Sequence, residues 1–273
     1  MSVLLPGPTL RDTFDGDGLS SVWQRRTYGS ALLRQADGAL RCVLPPGAAS
    51  QYADAQITDY ERPQGDAFRW RPPLRLSVRA WASAPQSELI GTAGFGFWNE
   101  PFLPVGRLRL RLPRAVWFFF GAPPHNMALA RDVPGHGWKV ATLDAGRPLA
   151  LALLPLAPFG FLLMRVPALY RRLWPVAQRA IGVSEALLPV DLSEPHTYSL
   201  DWLPDRVTFR VDRQIVHEAT ASPRGPLGLI AWMDNQYAII TPQGRIGFGV
   251  TPIPREQWLA LDEIAIESLS ASH

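Results

Sequence analysis

The chain has 273 residues, of which 47% are hydrophobic, enough for the core of one large β-sandwich. Its formal net charge of +3 is too small to indicate a nucleic-acid-binding protein, and its single cysteine, Cys42, excludes an intrachain disulfide. Lys139 is the only lysine among 27 basic residues, a bias typical of a GC-rich bacterial genome. The first residues lack the basic and apolar regions of a signal peptide, so we predict a cytoplasmic protein.

Most of the chain shows the patterns of short β-strands. Residues 74–83 and 107–112 alternate apolar and polar side chains, as half-buried strands do. Residues 91–99 are rich in glycine and aromatic side chains, which is typical of a strand that a neighbour or a ligand approaches closely. Residues 196–219 contain three strands separated by two turns, and two further strand patterns follow towards the C-terminus.

An uncharged segment interrupts the strands at residues 148–164. It is long enough to be considered as a membrane span, which needs roughly 17–25 residues. Pro148, Pro155 and Pro158 argue against one continuous helix, because proline removes a backbone donor and clashes with the preceding turn. We therefore predict an apolar loop here, at the start of an insertion that extends over residues 148–190.

An amphipathic helix is predicted at about residues 165–182, where apolar side chains recur at helical spacing and Gly182 provides a C-terminal stop. Its apolar face needs burial, since a patch of this size is rarely left in water. The helix could lie on a membrane surface, close over a cleft as a lid, contact a second subunit or pack on the outside of the sandwich. The residues that we assign to membrane or lid contact are Leu169, Arg171, Arg172, Leu173 and Trp174.

Five segments, in this order, resemble the laminarinase-type family 16 glycoside hydrolases. They are DTFDGDGLSSVWQ at residues 12–24, the strand pair at residues 67–83, GFGFWN at residues 94–99, HTYSLDWLPDRVTFRVD at residues 196–212 and LDEIAIESL at residues 261–269. The fourth is the most specific match, and the resemblance covers nearly the whole chain outside the insertion. It implies an all-β, concanavalin A-like jelly roll, in which two antiparallel sheets form a single sandwich domain over residues 1–273.

The catalytic motif of that family is missing. The resemblance implies the motif E-x-D-x-E on the strand after GFGFWN, because a retaining glycosidase needs two carboxyl groups about 5–5.5 Å apart. Residues 101–131 contain no Asp or Glu, so no register can place such a pair on the expected strand, AVWFFFGAPP. We therefore predict no glucanase activity.

Aromatic residues stand where the acids would be. In one register Trp117 and Phe119 face the cleft while Phe118 and Phe120 lie in the core, and a slip of one residue exchanges the two pairs. A floor of this kind either fills the cleft and is inert, or it binds an apolar or flat ligand.

Polar residues near this strand are candidates for chemistry. Glu100 is the only carboxylate near the missing motif, and it follows Trp98 and Asn99 at the end of a strand predicted to border the cleft. The alternative for Glu100 is that it is a surface-loop glutamate. His125 is a candidate acid/base group, and Asn126 is a candidate hydrogen-bond donor to a ligand. The histidine spacing is not that of a metal site, and we predict no bound metal.

The segment WMDNQY, residues 232–237, predicts the second half of the site. Asp234 is the best remaining acid or base, with Asn235, Gln236 and Tyr237 able to orient a ligand. The alternative is a polar turn between strands. If the segment belongs to the site, it should lie near the aromatic strand, on an adjacent strand of the same sheet.

Three functions agree with these features. The first is a non-hydrolytic protein that binds or transforms a hydrophobic small molecule, such as an isoprenoid, polyketide, lipid or pigment, in the aromatic cleft at a membrane surface. The second is a lectin-like module in which Trp98, Trp117 and Trp232 stack against sugar rings. The third is a glycosidase with relocated acids, Glu100 and Asp234. The sequence has no P-loop or Rossmann glycine pattern, and we predict no cofactor.

Overall fold

The computed structural model describes residues 9–47, 51–60, 68–101 and 111–269. The strands in this part of the chain are β1 (Leu10–Asp12), β2 (Gln24–Tyr28), β3 (Leu32–Ala36), β4 (Ala39–Leu44), β5 (Asp54–Thr58), β6 (Leu74–Ala82), β7 (Thr92–Trp98), β8 (Arg114–Gly121), β9 (Gly137–Asp144), β10 (Ser184–Leu187), β11 (His196–Trp202), β12 (Val207–Val211), β13 (Gln214–Ala219), β14 (Gly228–Asp234), β15 (Gln236–Ile240), β16 (Ile246–Val250) and β17 (Gln257–Ser268). The helices are α1 (Pro148–Leu153), α2 (Ala157–Leu163) and α3 (Pro167–Ala180), with a 3₁₀ turn at Leu154–Leu156.

Two antiparallel sheets stack as a sandwich, which confirms the predicted all-β fold class. Sheet A has the strand order β13-β12-β11-β6-β17-β4-β3, with β1 also paired to β17. Sheet B has the order β10-β9-β8-β7-β14-β5-β2, and β15 and β16 form a separate hairpin that follows β14. Most of the strand predicted at residues 107–112 lies outside the described residues.

The core between the sheets fixes the register of the aromatic strand. Phe118 and Phe120 on β8 point inward and are fully buried, and the Phe118 ring lies 5.3 Å from that of Tyr198 on sheet A. Trp117 and Phe119 therefore face outward on sheet B. Each inward ring stabilises the fold by about 1.5–3 kcal/mol, so a slip of one residue would expose both rings at a high cost.

Residues 148–163 form short helices rather than the predicted apolar loop. Pro148, Pro155 and Pro158 stand in the first two positions of three helical segments, where a missing backbone donor costs little. The prolines therefore start short helices, although they do prevent one continuous helix. No helix among the described residues is long and apolar enough to cross a bilayer.

The predicted amphipathic helix is present as α3, and Gly182 follows it with a positive φ of 62°. Of the two contacts predicted for Trp174, the membrane contact is wrong, because this side chain is not available to a membrane. Its side chain is buried, and the indole N–H donates to the Leu129 carbonyl at 2.9 Å. The other residues predicted for membrane or lid contact are wholly or partly exposed: Leu169, Arg171, Arg172 and Leu173. After the helix, β10 joins the edge of sheet B, so residues 184–187 belong to the sandwich rather than to the insertion.

Candidate functional site

An aromatic cluster covers the outer face of sheet B. It comprises Trp98 on β7, Trp117 and Phe119 on β8, and Ile230 and Trp232 on β14, and we call it the aromatic floor. The Trp117 ring lies 5.5 Å from the rings of both Phe119 and Trp232 and 6.1 Å from that of Trp98. The fold thus brings the aromatic strand and the start of WMDNQY together on one sheet, as predicted.

Glycines on β7 let the tryptophan rings lie against the backbone. Gly94 and Gly96 face outward between β8 and β14. A Cβ on Gly94 would come within 2.9 Å of the Trp232 ring, and a Cβ on Gly96 within 2.6 Å of the Trp117 Cβ. The close approach predicted from the glycine-rich stretch is therefore made by tryptophans of the neighbouring strands.

A loop at residues 122–136, which we call the cover loop, hides one side of the aromatic floor. Its Met127 and Leu129 line a cavity of about 30 Å³ with Trp117 and Phe119, a volume close to that of one water molecule. Phe119 and Trp232 are only 8% and 6% exposed, whereas Trp98 and Trp117 keep more of their surface in solvent. The floor is therefore open over Trp98 and Trp117 and closed over Phe119.

A buried ion pair holds the cover loop in place. Lys139 Nζ on β9 lies 3.3 Å from Glu185 Oε1 on β10 and donates to the carbonyls of Met127 (3.4 Å) and Pro134 (3.2 Å). Glu185 Oε2 accepts from the Ala130 N–H at 3.0 Å. The pKa of Glu185 is raised, because burial raises it by more than the neighbouring Lys139 ammonium lowers it. Sequence reasoning missed this pair, and its one signal was that the chain has a single lysine.

Two carboxyl groups face each other at one end of the floor. Asp234 on β14 is paired directly with Asp54 on β5, which places their Cβ atoms about 5 Å apart. Asp234 Oδ1 accepts from Thr92 Oγ1 at 2.8 Å and from the Gln236 N–H at 2.9 Å. Thr92 Oγ1 in turn accepts from the Trp232 indole N–H at 3.0 Å. One hydroxyl therefore links this acid pair to the aromatic floor.

The acid pair retains a proton up to about neutral pH. Burial raises the pKa of Asp234 to about 7, against the lowering effect of its hydrogen bonds. Burial and then the Asp234 charge raise the pKa of Asp54 well above its usual range. Among the described residues, no donor reaches the buried Oδ1 of Asp54, and no third side chain completes a metal site. The pair can thus donate and accept a hydrogen bond, and Asp54 is a candidate that sequence reasoning missed.

The remaining residues of WMDNQY do not lie on the outer face of sheet B with the aromatic floor, and a ligand contact by Gln236 or Tyr237 stays a prediction. Asn235 is fully buried, and its side-chain amide bonds only backbone groups, each at 2.9 Å. Gln236 and Tyr237 belong to β15 and leave sheet B, because the chain turns outward after Asp234. The prediction of adjacent strands is also wrong, since β7 lies between β8 and β14.

The Asn99 side chain fixes the backbone instead of binding a ligand, whereas the predicted role of the Asn126 side chain stays a prediction. Asn99 Oδ1 accepts from the Arg114 N–H, and its Nδ2 donates to the Leu112 carbonyl, each at 2.9 Å. Asn126 joins the cover loop to β15 through two backbone hydrogen bonds. These bonds occupy the Asn99 amide and hold the rim of the floor in shape.

Glu100 is too far from Asp234 to form a glycosidase pair with it. Asp234 lies opposite Thr92 at one end of β7, whereas Glu100 follows Trp98 at the other end. The strand between these ends spans roughly 20 Å, about twice the separation that an inverting glycosidase uses. Glu100 is also buried, with its Oε1 2.6 Å from Arg26 Nη1 in a salt bridge. The relocated-acid reading of these two residues is therefore wrong.

His125 is a buried, neutral imidazole at the covered side of the floor. Its ring lies 5.1 Å from that of Phe119, and its Nδ1 accepts from the Ala238 N–H at 3.2 Å. Burial, and then the charges of Lys139 and His136, lower its pKa to about 4. The proton consequently stays on Nε2, for which the described residues supply no acceptor. His125 is thus a weak base with its Nδ1 lone pair already occupied, and its Nε2–H is a buried donor that a ligand reaches only if the cover loop moves.

The backbone matches those of solved glycoside hydrolases. A GlcNAcα1-4Gal-releasing endo-β-galactosidase from Clostridium perfringens is 14% identical, with a TM-score of 0.56 over 94% of this chain and 60% of that chain. A laminarinase from Flavobacterium sp. UMI-01 is 14% identical, with a TM-score of 0.53 over 95% and 99% of the two chains. A family 16 endo-glucanase from Bacteroides ovatus is 11% identical, with a TM-score of 0.54 over 94% and 99%.

This chain has the concanavalin A-like jelly-roll fold of family 16 glycoside hydrolases. The resemblance read from its sequence segments is therefore confirmed at the level of the fold. No protein-family model and no curated protein sequence matches the chain. Within this jelly roll, the side chains on the outer face of sheet B form the candidate site.

Proposed function

We propose that this protein is a non-hydrolytic jelly roll that binds a hydrophobic small molecule on its aromatic floor. One observation carries the proposal: the outward positions of β8 are Ala115, Trp117, Phe119 and Gly121, none of which ionises. A strand that offers rings and no carboxylate can gain free energy by burying apolar surface, but it cannot supply an acid and a nucleophile.

The open part of the floor sets the mode of binding. A flat ligand would stack on Trp98 and Trp117, whose rings are partly in solvent, and would extend towards Trp232. Its far end would then approach the acid pair, which can bond one polar group. The cavity under the cover loop holds about one water molecule, so a deeper ligand requires that Met127 and Leu129 move.

We also propose a cytoplasmic location at the periphery of a membrane. Apolar molecules of this kind partition into lipid, so a protein that binds them gains access by working at the bilayer surface. The surface that would make this contact is separate from the floor.

A carbohydrate is the second candidate ligand. Trp98 and Trp117 would serve as stacking platforms for sugar rings, and the Trp98 indole is held by a hydrogen bond to the Tyr60 hydroxyl. This candidate is favoured by the matching structures, which are glycan-active enzymes with the same fold. It differs from the first proposal in the class of molecule that the floor retains.

Native mass spectrometry of the purified protein tests the floor directly. We expect a co-purified small molecule that lipid extraction removes, and rebinding from a lipid extract but not from an immobilised glycan panel. Trp117→Ala should weaken rebinding roughly 30-fold, because about 2 kcal/mol of ring burial is lost. Trp258→Ala, which removes a partly exposed tryptophan from sheet A, is the control and should bind normally. If the protein retains glycans and no molecule from the lipid extract, the floor is a carbohydrate-binding site instead.

The protein should hydrolyse neither β-1,3- nor β-1,4-glucans above the buffer background. The physical reason is that β8 has no outward carboxylate and that Glu100 and Asp234 are too far apart. Reducing-sugar release over a long incubation is the measurement. Hydrolysis that disappears in Glu100→Gln or in Asp234→Asn would contradict the proposal.

A further inference from the structure

Helices α1 and α2 expose large apolar side chains on almost every side. In residues 148–163, only Ala150 is buried. The exposed apolar residues are Leu149, Leu151, Leu154, Leu156, Phe159, Phe161, Leu162 and Leu163. A helix that is apolar all round is normally buried in a protein core or in a membrane. We call this surface the docking face, and its composition requires an apolar environment that the sandwich does not provide.

The β15–β16 hairpin extends the docking face. Phe161 on α2 packs at the hairpin turn, where its Cβ lies 3.2 Å from the position that a Cβ on Gly244 would take. Ile246 and Phe248 lie on the same face of β16 and are 68% and 62% exposed. The hairpin and α3 both bond the cover loop, so the docking face lies beside the aromatic floor.

The charged residues of the segment that carries the docking face are all basic. Residues 145–183 contain five arginines and no Asp or Glu. Arg147 and Arg165 flank the apolar stretch, and Arg171, Arg172 and Arg179 lie on α3. Among the described residues, none of the five forms an ion pair with a carboxylate. Exposed apolar helices next to unpaired arginines match the chemistry of an anionic lipid surface.

We propose that the docking face inserts into the surface of a bilayer that contains anionic lipids. The short, proline-broken helices would lie in the interface, because no described helix is long enough to cross it. The arginines would bury their methylene stems beside the acyl chains and donate to lipid phosphates. A second copy of this chain fits less well, since it would bring a second set of unpaired arginines against the first. The proposal holds whichever ligand the aromatic floor takes.

Flotation with vesicles tests the proposal on the full chain. The protein should float with phosphatidylcholine vesicles that contain phosphatidylglycerol, and should stay behind with vesicles of phosphatidylcholine alone. Phe159→Glu combined with Leu162→Glu should abolish flotation, because charged side chains would enter the acyl region. Arg171→Glu combined with Arg172→Glu should weaken binding on the order of 20-fold, since each basic residue near an anionic surface contributes about fivefold.

Matched controls come from the β12–β13 hairpin of sheet A. Ile215→Glu replaces an apolar side chain that is 57% exposed, and Arg213→Glu reverses an exposed arginine. Both should float like the wild type, and far-UV circular dichroism should show that every variant is folded. Trp117→Ala should float normally as well, so a failure of the floor proposal can be told apart from a failure of this one.

Three outcomes would overturn the proposal. The first is a monodisperse wild-type protein that floats with neither kind of vesicle. The second is an equal loss of flotation in the sheet A controls and in the docking-face variants. The third is a stable oligomer in analytical ultracentrifugation that the Phe159→Glu and Leu162→Glu changes dissociate, which would assign the docking face to a second copy of the chain.

Discussion

Lys139→Met is expected to lower the free energy of unfolding by about 3–5 kcal/mol. The variant leaves the Glu185 carboxylate in a buried position, where the Ala130 N–H is its remaining donor among the described residues. The cover loop also loses the two hydrogen bonds that the ammonium donates to the carbonyls of Met127 and Pro134. Urea-induced unfolding followed by tryptophan fluorescence measures the loss.

An exposed ion pair supplies the control for this prediction. Arg255 and Glu88 keep 56% and 51% of their side-chain surface in solvent, so Arg255→Met should cost less than about 1 kcal/mol. Lys139→Met combined with Glu185→Leu should recover most of the stability, because it removes the isolated charge and fills the site with apolar atoms. If Lys139→Met and Arg255→Met lower the free energy of unfolding equally, the burial of the Lys139–Glu185 pair adds nothing to stability.

Patterns within single segments were sufficient to predict most of the sandwich. On β6, buried residues alternate with more exposed ones, as the period-two pattern at residues 74–83 predicts. Strands β11 and β12 pair across the turn at Pro204-Asp205, which the sequence also marks. The helices of residues 148–163 were missed because a proline at the start of a helix and a proline that breaks one look alike in sequence.

The candidate site depends on strand order, which no local pattern encodes. Asp54 and Asp234 come from distant parts of the chain and meet only because β5 lies next to β14 in sheet B. The same holds for Lys139 and Glu185, which meet diagonally across β9 and β10 because β10 returns to the edge of the sheet after α3. Sequence reasoning could therefore name Asp234 as a candidate acid, but it paired this residue with Glu100 instead of Asp54.

The acid pair should make the protein less stable as the pH rises from about 4 to about 7. An unfolded aspartate releases its proton near pH 3.8, whereas the pKa of folded Asp234 is raised to about 7. Between these values the folded state binds one proton more than the unfolded state, so the free energy of unfolding falls as the pH increases. The slope is about 1.4 kcal/mol per pH unit, or about 4 kcal/mol over the whole interval. The raised pKa of Asp54 acts in the same direction.

Asp234→Asn should remove the part of this pH dependence that Asp234 contributes, while the burial of Asp54 continues to raise the pKa of that residue. The amide oxygen still accepts from the Thr92 hydroxyl and the Gln236 N–H, and the amide nitrogen can donate to Asp54. Asp54 is then the one titrating group left in the pair. We expect the variant to match the wild type near pH 4 and to exceed its stability by about 2–4 kcal/mol near pH 8. Urea unfolding across this interval is the measurement, and Asp205→Asn, at an exposed turn, should leave the wild-type curve unchanged. The test is the difference between the two curves, because the lowered pKa of His125 acts on both proteins in the opposite direction. If the stability difference between Asp234→Asn and the wild type stays constant over the interval, the two carboxyl groups do not share a proton. A shared proton would also mean that a ligand whose polar end accepts from the acid pair binds more weakly above about pH 7, where the folded pair loses that proton.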